Sequence, residues 1–352
     1  MYSGSTRIAT AILRSLTGRI LWRLPFHFQI ASLAGPNYSL RCLLFHDVAD
    51  RTSDFTKGLN VTIGIEDFES ITKFISRNYS PIGLQNLIES FKGKSLPPRP
   101  VLITFDDAYA SVCLNASPIL RRYNIPAVFF IASSLVGNED LGLDNLLCYA
   151  ANTQGMDVVN QAAVEITNLN HQRSNSVEQI FDRLLPTMSQ KQIQKFREKL
   201  SVALRNNTRD LARQNQLYVS AEQLRSLTRE GFEIGNHTFS HVFCRYLTET
   251  DFDQEIYASK ARLESIVGTR VRAFSVPYGS PQDLTSDLAK HLELSGHEAV
   301  FLARSRPNTF KSTLNRLNRI DVHQGSDGEL FAEIEVLPRL RSLADGLIRK
   351  GN

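Results

Sequence analysis

Short apolar runs alternate with segments of helical periodicity along most of the chain. Residues 39–48 (SLRCLLFHDV) read as a first strand ending in His46 and Asp47. Phe68, Ile71, Phe74 and Ile75 recur at helical spacing within 65–78, and Ser80, Pro81 and Ile82 open a short second strand. A helix over 84–91 precedes the run Val101-Leu102-Ile103, which follows a proline-marked stretch and leads into Thr104-Phe105-Asp106-Asp107. Residues 118–123 end a helix, and 127–132 (AVFFIA) form another buried strand. The rhythm resumes over 231–238, 271–278 and 299–303, with a last strand at 319–323. Such β-α alternation predicts a parallel sheet or barrel.

Three stretches depart from that rhythm. Residues 145–217 are rich in Gln, Asn, Arg and Ser. Their apolar positions (Ile180, Leu184, Leu185; Ile193, Phe196, Leu200, Leu204) have helical spacing, and the stretch reads as a helical insertion or lid. Ser220 and Gln223 after it have the pattern of a capped helix start. The first 46 residues carry Arg7, Arg14, Arg19, Arg23 and Arg41 and no acidic residue. Ile8, Ala11, Ile12, Leu16, Ile20, Leu21 and Leu24 recur there at helical spacing. Three fates fit this start: a basic amphipathic helix on an anionic membrane surface, a helix packed on the domain, or an organelle transit peptide. No apolar run reaches the length of a membrane span or a clear signal-peptide core. Residues 337–349 read as a basic amphipathic helix. The expected organisation is therefore a basic segment over 1–38, a barrel over 39–335 holding the insertion, and a C-terminal helix over 336–352.

Composition narrows the function classes. At 352 residues the chain can form one large α/β barrel or two ordinary domains. A net charge of +4, with no dense Lys/Arg cluster among aromatics, argues against nucleic acid. Cys42, Cys113, Cys148 and Cys244 are scattered, which disfavours a disulfide framework or a Cys-type zinc site and favours a reducing compartment.

The chemistry concentrates at predicted strand ends. Asp106 and Asp107 stand together, and two adjacent carboxylates repel unless a cation or a shared proton relieves them. Alone, such a pair is also an ordinary turn or helix cap. The stretch from Gly235 to His241 adds His237 and His241, four apart, which meet on one side if the chain turns helically there. Imidazole nitrogens with one carboxylate suit Zn²⁺, with Co²⁺, Ni²⁺ or Fe²⁺ as alternatives.

Thr104-Phe105-Asp106-Asp107, His237-Thr238-Phe239-Ser240-His241 and Phe274-Ser275-Val276-Pro277-Tyr278-Gly279 together resemble the three principal motifs of the polysaccharide deacetylases. These are the NodB-homology enzymes of carbohydrate esterase family 4. Leu44-Phe45-His46-Asp47-Val48 is similar to the opening motif of one branch, whose third motif reads FAYPYG or FSYPYG. The resemblance spans roughly 40–325 and implies a distorted (β/α) barrel. It implies Asp107, His237 and His241 as ligands of a divalent ion, and Asp106 as general base. The Tyr278 N–H would stabilise the oxyanion, with Pro277 fixing its loop and His46 near the substrate.

Departures from the family pattern carry expectations of their own. Many members hold an arginine where Ser275 stands, so another group must orient the base, and Arg319 is the candidate. His323 is the candidate general acid, with His46 as runner-up. Position 108 is Ala where the family usually has Gly. His27, His171, His291 and His297 fall outside any motif and read as structural or surface. The implied function is a metal-dependent hydrolase of amide C–N bonds that removes N-acetyl groups from a glycan or a lipid-linked glycan precursor. The alternatives are a deformylase or O-deacetylase, or an inactive glycan-binding scaffold on the same fold. The expected location is cytoplasmic, peripheral at the inner face of the cell membrane.

Overall fold

A computed structural model describes residues 4–33, 39–167 and 173–350 of the chain. The expected first strand is two strands. β1 (Arg41–Phe45) lies in the main sheet, while β2 (Asp47–Val48) leaves it to pair with β3 (Thr62–Ile63). The break falls on His46 and leaves that residue at the rim. Eight further strands follow: β4 (Ser80–Pro81), β5 (Pro100–Phe105), β6 (Ala127–Ile131), β7 (Glu233–Asn236), β8 (Ala273–Ser275), β9 (Ala299–Leu302), β10 (Leu317–Asn318) and β11 (Ile320–Asp321).

The nine-stranded parallel sheet runs β10-β9-β8-β7-β6-β5-β1-β11, with β4 branching from β5. Its two ends are one stretch of chain. β10 pairs with β9, β11 pairs with β1, and the residue between them is Arg319, whose N–H donates to the Leu302 carbonyl at 3.0 Å. The sheet thus closes into a barrel, and Arg319 sits on the seam.

Alternation along each strand sorts the two faces. Val101, Ile103 and Phe105 pack outward against Phe68, Ile71 and Ile75 of the helix Ile65–Asn78. Leu102 packs inward with Cys42, Val128, Phe130, Phe301 and Leu317. Gly235 is part of this interior, and a Cβ there would fall 2.3 Å from the Phe130 ring. Further along the same face, at the carboxyl ends of the strands, the buried residues become polar: Thr104, Asp106, His237, Ser275 and Arg319. An apolar plug therefore closes one end, and ionisable groups fill the other.

The expected insertion is helical, and its helices include Leu143–Gln154, Met156–Thr167, Gln190–Leu204 and Thr208–Asn215. Leu147, Leu185, Met188, Phe196 and Leu200 give it a core, which also takes in Tyr109, Tyr218 and Phe243 from the barrel rim. It begins two residues before the expected boundary, and that shift matters below. Ser220 and Gln223 form the expected capping box ahead of the helix Ala221–Arg229.

The N-terminal helix Gly4–Leu21 packs on the barrel. Gly18 meets Gly328 of the helix Asp327–Phe331 so closely that a Cβ at 18 would lie 2.5 Å from the Gly328 carbonyl oxygen. Arg14 donates to the carbonyls of His323 (3.1 Å) and Gln324 (2.7 Å), and Trp22 packs on Phe74 and Phe331. At the other terminus, Glu335 accepts from Arg41 and Arg339 in a buried network that ties the helix Leu337–Lys350 to β1. No described helix is long and apolar enough to cross a membrane.

Candidate active site

Asp106 follows β5 and points into the barrel mouth, where Arg319 grips it. One guanidinium nitrogen donates to Oδ1 at 2.7 Å and another to Oδ2 at 2.6 Å, a two-pronged fit specific to arginine. Ser275 donates its hydroxyl to Oδ2 at 3.0 Å. The same guanidinium reaches the Ser275 Oγ at 2.7 Å and the Thr104 Oγ1 at 3.3 Å. Ser275 and Arg319 are both fully buried. Burial opposes the charge on Asp106, but the Arg319 charge, His237, and the Arg319 hydrogen bonds outweigh it and hold the carboxyl below its usual range. An arginine at the seam thus meets the carboxylate that a residue at position 275 would otherwise have to reach.

Asp107, His237 and His241 converge beside it, with ligating atoms within 4.8 Å of one another. Asp107 Oδ1 lies 3.3 Å from His237 Nε2 and 3.2 Å from His241 Nε2. Acceptors fix both rings. His237 Nδ1 donates to the Ser275 carbonyl at 2.7 Å, and His241 Nδ1 faces Asp144 Oδ2 at 3.1 Å. Each ring therefore turns its Nε2 toward the shared point, as a ligand must. Two nitrogens and a carboxylate oxygen with their outer partners in place fit a divalent ion of the zinc type. Burial opposes charge on both partners, yet the imidazoles hold Asp107 well below the usual carboxylate range, and Asp107 with Asp144 raise His241 well above an ordinary histidine. An ion entering here displaces protons.

The backbone around these groups is unusual. Asp107 (φ 74°), Ala108 (φ 67°), Thr238 (φ 65°), His241 (φ 56°) and Tyr278 (φ 60°) all adopt the left-handed region. Each such residue other than glycine costs roughly 1–2 kcal/mol, so packing and hydrogen bonds must hold them there. The expected helical turn between His237 and His241 is absent. Instead a loop is clamped by buried Glu255, which accepts from the backbone N–H groups of Phe239 and Ser240 at 3.0 Å and from the Ser240 hydroxyl at 2.7 Å. Gly279 (φ 62°) carries the third loop against the backbone of Ala303, where a Cβ would lie 2.1 Å from the Ala303 nitrogen.

Sequence reasoning missed Asp144 and Glu255. Glu255 leaves no local signal, since its partners lie 15 and 16 residues away, and the fold places it in a π-helical turn, Asp253–Ala258. Asp144 lies just outside the expected insertion, in the first turn of its first helix. It accepts from the Tyr278 hydroxyl at 2.9 Å as well as facing His241, so it joins two of the three motifs. Replacing Asp144 by Asn is expected to weaken Zn²⁺ binding about 10- to 100-fold, measured by competition with a chromogenic chelator. Unchanged affinity would remove Asp144 from the ion's support.

The remaining expected residues divide. Pro277 is buried in the third loop, and Tyr278 stacks on Phe243 at a centroid distance of 3.8 Å. The Tyr278 N–H has no acceptor among the described residues. His46 and His323 line one cleft with Asn60, Thr62 and Asp321. His46 helps to lower both aspartates. His323 is held by Glu333, which accepts from its Nδ1 at 2.9 Å and its backbone N–H at 3.0 Å. That hydrogen bond, with help from Asp321, pushes the half-exposed His323 up to about 9.

A histidine raised in this way stabilises the fold fully below its unfolded value of about 6.5 and loses that contribution as pH rises through about 9. The melting-temperature gap between the wild type and His323→Gln is therefore expected to close across that window. A constant gap would contradict the pairing.

His291 is bound by Tyr257 and Glu249, His297 by Ser295 and Asn236, and His27 packs on Trp22, in keeping with structural roles. His171 lies outside the described residues. The four cysteines are free, and burial pushes Cys42 and Cys113 up to about 12.

Comparisons with known proteins agree with this geometry. The solved Streptococcus pyogenes deacetylase PplD, in complex with acetate, superposes with a TM-score of 0.57 at 13% identity, covering 85% of this chain and 99% of that one. IcaB from Ammonifex degensii gives 0.51 at 17% identity, covering 85% and 98%. These likenesses establish the distorted (β/α) barrel. A poly-beta-1,6-N-acetyl-D-glucosamine N-deacetylase of Staphylococcus aureus is 35% identical over 82 residues, which is 23% of this chain and 28% of the relative. The Escherichia coli protein of the same name is 28% identical over 108 residues, 30% of this chain and 16% of the relative. The chain thus spans less than a third of the length of these curated relatives. The family profile described as polysaccharide deacetylase matches residues 93–297, a stretch that holds all three motifs. The chain belongs to the polysaccharide deacetylase family.

Proposed function

We propose that this protein is a metal-dependent amide hydrolase that removes N-acetyl groups from amino sugars of a glycan or a lipid-linked glycan precursor. The observation that carries the proposal is the division of labour between neighbouring aspartates. Arg319 holds Asp106 ionised, while Asp107 closes a three-ligand set with His237 and His241. A binding protein needs no such pair.

Zn²⁺ or a similar ion at that set, when bound, lowers the pKa of water to about 7 and polarises a carbonyl. Asp106 is placed to take the proton from the attacking water, since Arg319 and Ser275 fix its direction and keep it ionised. The Tyr278 N–H, which has no acceptor among the described residues, is available to the developing oxyanion. The departing amine needs a proton. His323, raised to about 9, is charged at neutral pH and is the donor in this reading, with His46 across the cleft contacting the sugar.

Acetate release from a panel of N-acetylated oligosaccharides and lipid-linked N-acetyl sugars, with Zn²⁺ or Co²⁺ added, tests the proposal. Release that EDTA abolishes is the expected result. No release with the ion demonstrably bound would redirect the search to formyl or O-acetyl substrates. No release and no bound ion would favour a glycan-binding scaffold.

A further inference from the structure

Most other exposed large apolar side chains are scattered along the described sequence, among them Phe91, Leu114, Val202 and Phe310. Residues 12–26 are different. Ile12 (56% exposed), Leu13, Leu16 (54%), Ile20 (62%), Leu24 and Phe26 (72%) are all exposed there. At 3.6 residues per turn, Ile12, Leu13, Leu16 and Ile20 fall within about a third of the helix circumference, and Leu24 and Phe26 follow just past its end at Leu21. Arg14, Gly18, Leu21 and Trp22 occupy the opposite side, and these make the packing against the barrel. The helix therefore has two working faces. The buried one accounts for most of its docking on the domain, and the apolar stripe remains largely exposed.

We propose that this stripe is a docking surface for an anionic lipid membrane. Arg19, beside the stripe on the helix, and Arg23, just past the helix end, are both exposed, and the first 46 residues contain no carboxylate. An apolar stripe edged by arginines matches the boundary between acyl chains and anionic headgroups. A second copy of the chain is a poorer complement, because two such stripes bring arginines together with no acid within the segment to answer them.

Arg14, on the packing face of the same helix, holds the carbonyls of His323 and Gln324, two residues of the cleft wall. A helix seated in the headgroup layer would hold the barrel beside the membrane, within reach of a lipid-linked amino sugar. This last step rests on the hydrolase reading. The docking itself does not.

The full chain is sedimented with vesicles of phosphatidylcholine alone and of a roughly 3:1 mixture of phosphatidylcholine and phosphatidylserine. Binding to the mixed vesicles that falls with added salt is the expected result. Arg19→Gln/Arg23→Gln should weaken it about 25-fold, since each arginine at an anionic surface contributes roughly a factor of five. Leu16→Ser/Ile20→Ser should weaken it at least about 10-fold by removing buried apolar area. Both pairs are surface changes, and an unchanged circular dichroism spectrum confirms folding. Equal sedimentation of all variants would overturn the proposal, as would no binding by the wild type. A wild-type dimer that Leu16→Ser/Ile20→Ser turns into a monomer, without lipid binding, would assign the stripe to self-association instead. None of these readouts depends on turnover, so failure of docking and failure of the hydrolase assignment are separable.

Discussion

Replacing Arg319 by methionine is expected to cost roughly 3–5 kcal/mol of folding stability, because the change leaves a buried carboxylate without its counter-charge. Asp106 is 4% exposed and Arg319 is fully buried, so water cannot take over the lost role. The change also severs the hydrogen bonds to Ser275 and Thr104, so it disturbs the seam as well as the site. Catalysis should suffer through a separate route. Arg319 is the largest of the effects that hold Asp106 below its normal range against burial, with His237 and His46 adding to it, and in the methionine variant burial acts with much less opposition. Its carboxyl pKa rises, and the acid limb of kcat/KM moves to higher pH. The stability balance changes sign with it. In the wild type Asp106 stabilises the fold above its unfolded value of about 3.9 and loses that contribution as pH falls through the lower folded value. In the variant the unpaired carboxylate is tolerated best when protonated, so the deficit against wild type is largest at neutral pH and shrinks in acid. Arg319→Lys should recover part of the stability, because a point charge restores attraction without the two-pronged fit. Urea melts across pH, read beside pH–rate profiles, check both parts. An unmoved acid limb with a large stability loss would leave Arg319 a purely structural residue.

The sequence carried the site's ligands more clearly than their support. An acidic pair at a strand end and two histidines four apart are visible because ligand chemistry restricts residue type. Arg319 was legible only indirectly: serine at 275 implied that some other group must hold the base, and an arginine in the late strand was available. That it does so from the seam of the barrel is a property of closure, which no local pattern encodes. Asp144 and Glu255 had no signal, since a carboxylate in a helical stretch looks like any solvated residue until the fold places it. The turn between His237 and His241 was misjudged for a related reason. Spacing of four is shared by a helix and by this loop, and the loop exists only because Glu255 and the left-handed residues hold it. The basic N-terminal segment offered packing, membrane contact and a transit peptide as competing fates. The structure shows the packing face, and periodicity alone could not say that it would be built around a glycine and an arginine.

The two aspartates should separate cleanly on substitution. Asp106→Asn is expected to lower turnover by roughly 10²–10⁴ while the ion stays bound, since a positioned base contributes about that much. Asp107→Asn should also abolish turnover, but through loss of the ion. The distances set the contrast: Asp107 Oδ1 lies within 3.3 Å of both Nε2 atoms, whereas Asp106 Oδ2 comes no nearer than 3.7 Å to His237 and is already held by Arg319 and Ser275. Backbone strain does not confuse the comparison at 107, because asparagine tolerates the left-handed region that this position requires (φ 74°). At 106 the asparagine carries a cost of its own, leaving the Arg319 charge unbalanced, so Asp106→Asn should melt lower than wild type even with the ion in place. Metal content by atomic emission, measured beside acetate release, separates the cases. An Asp106→Asn protein that purifies without the ion would make both carboxylates ligands and leave the hydrolysis without its base. One that keeps the ion, melts early and turns over slowly would fix the assignment, because only a base held by a buried arginine predicts all three together.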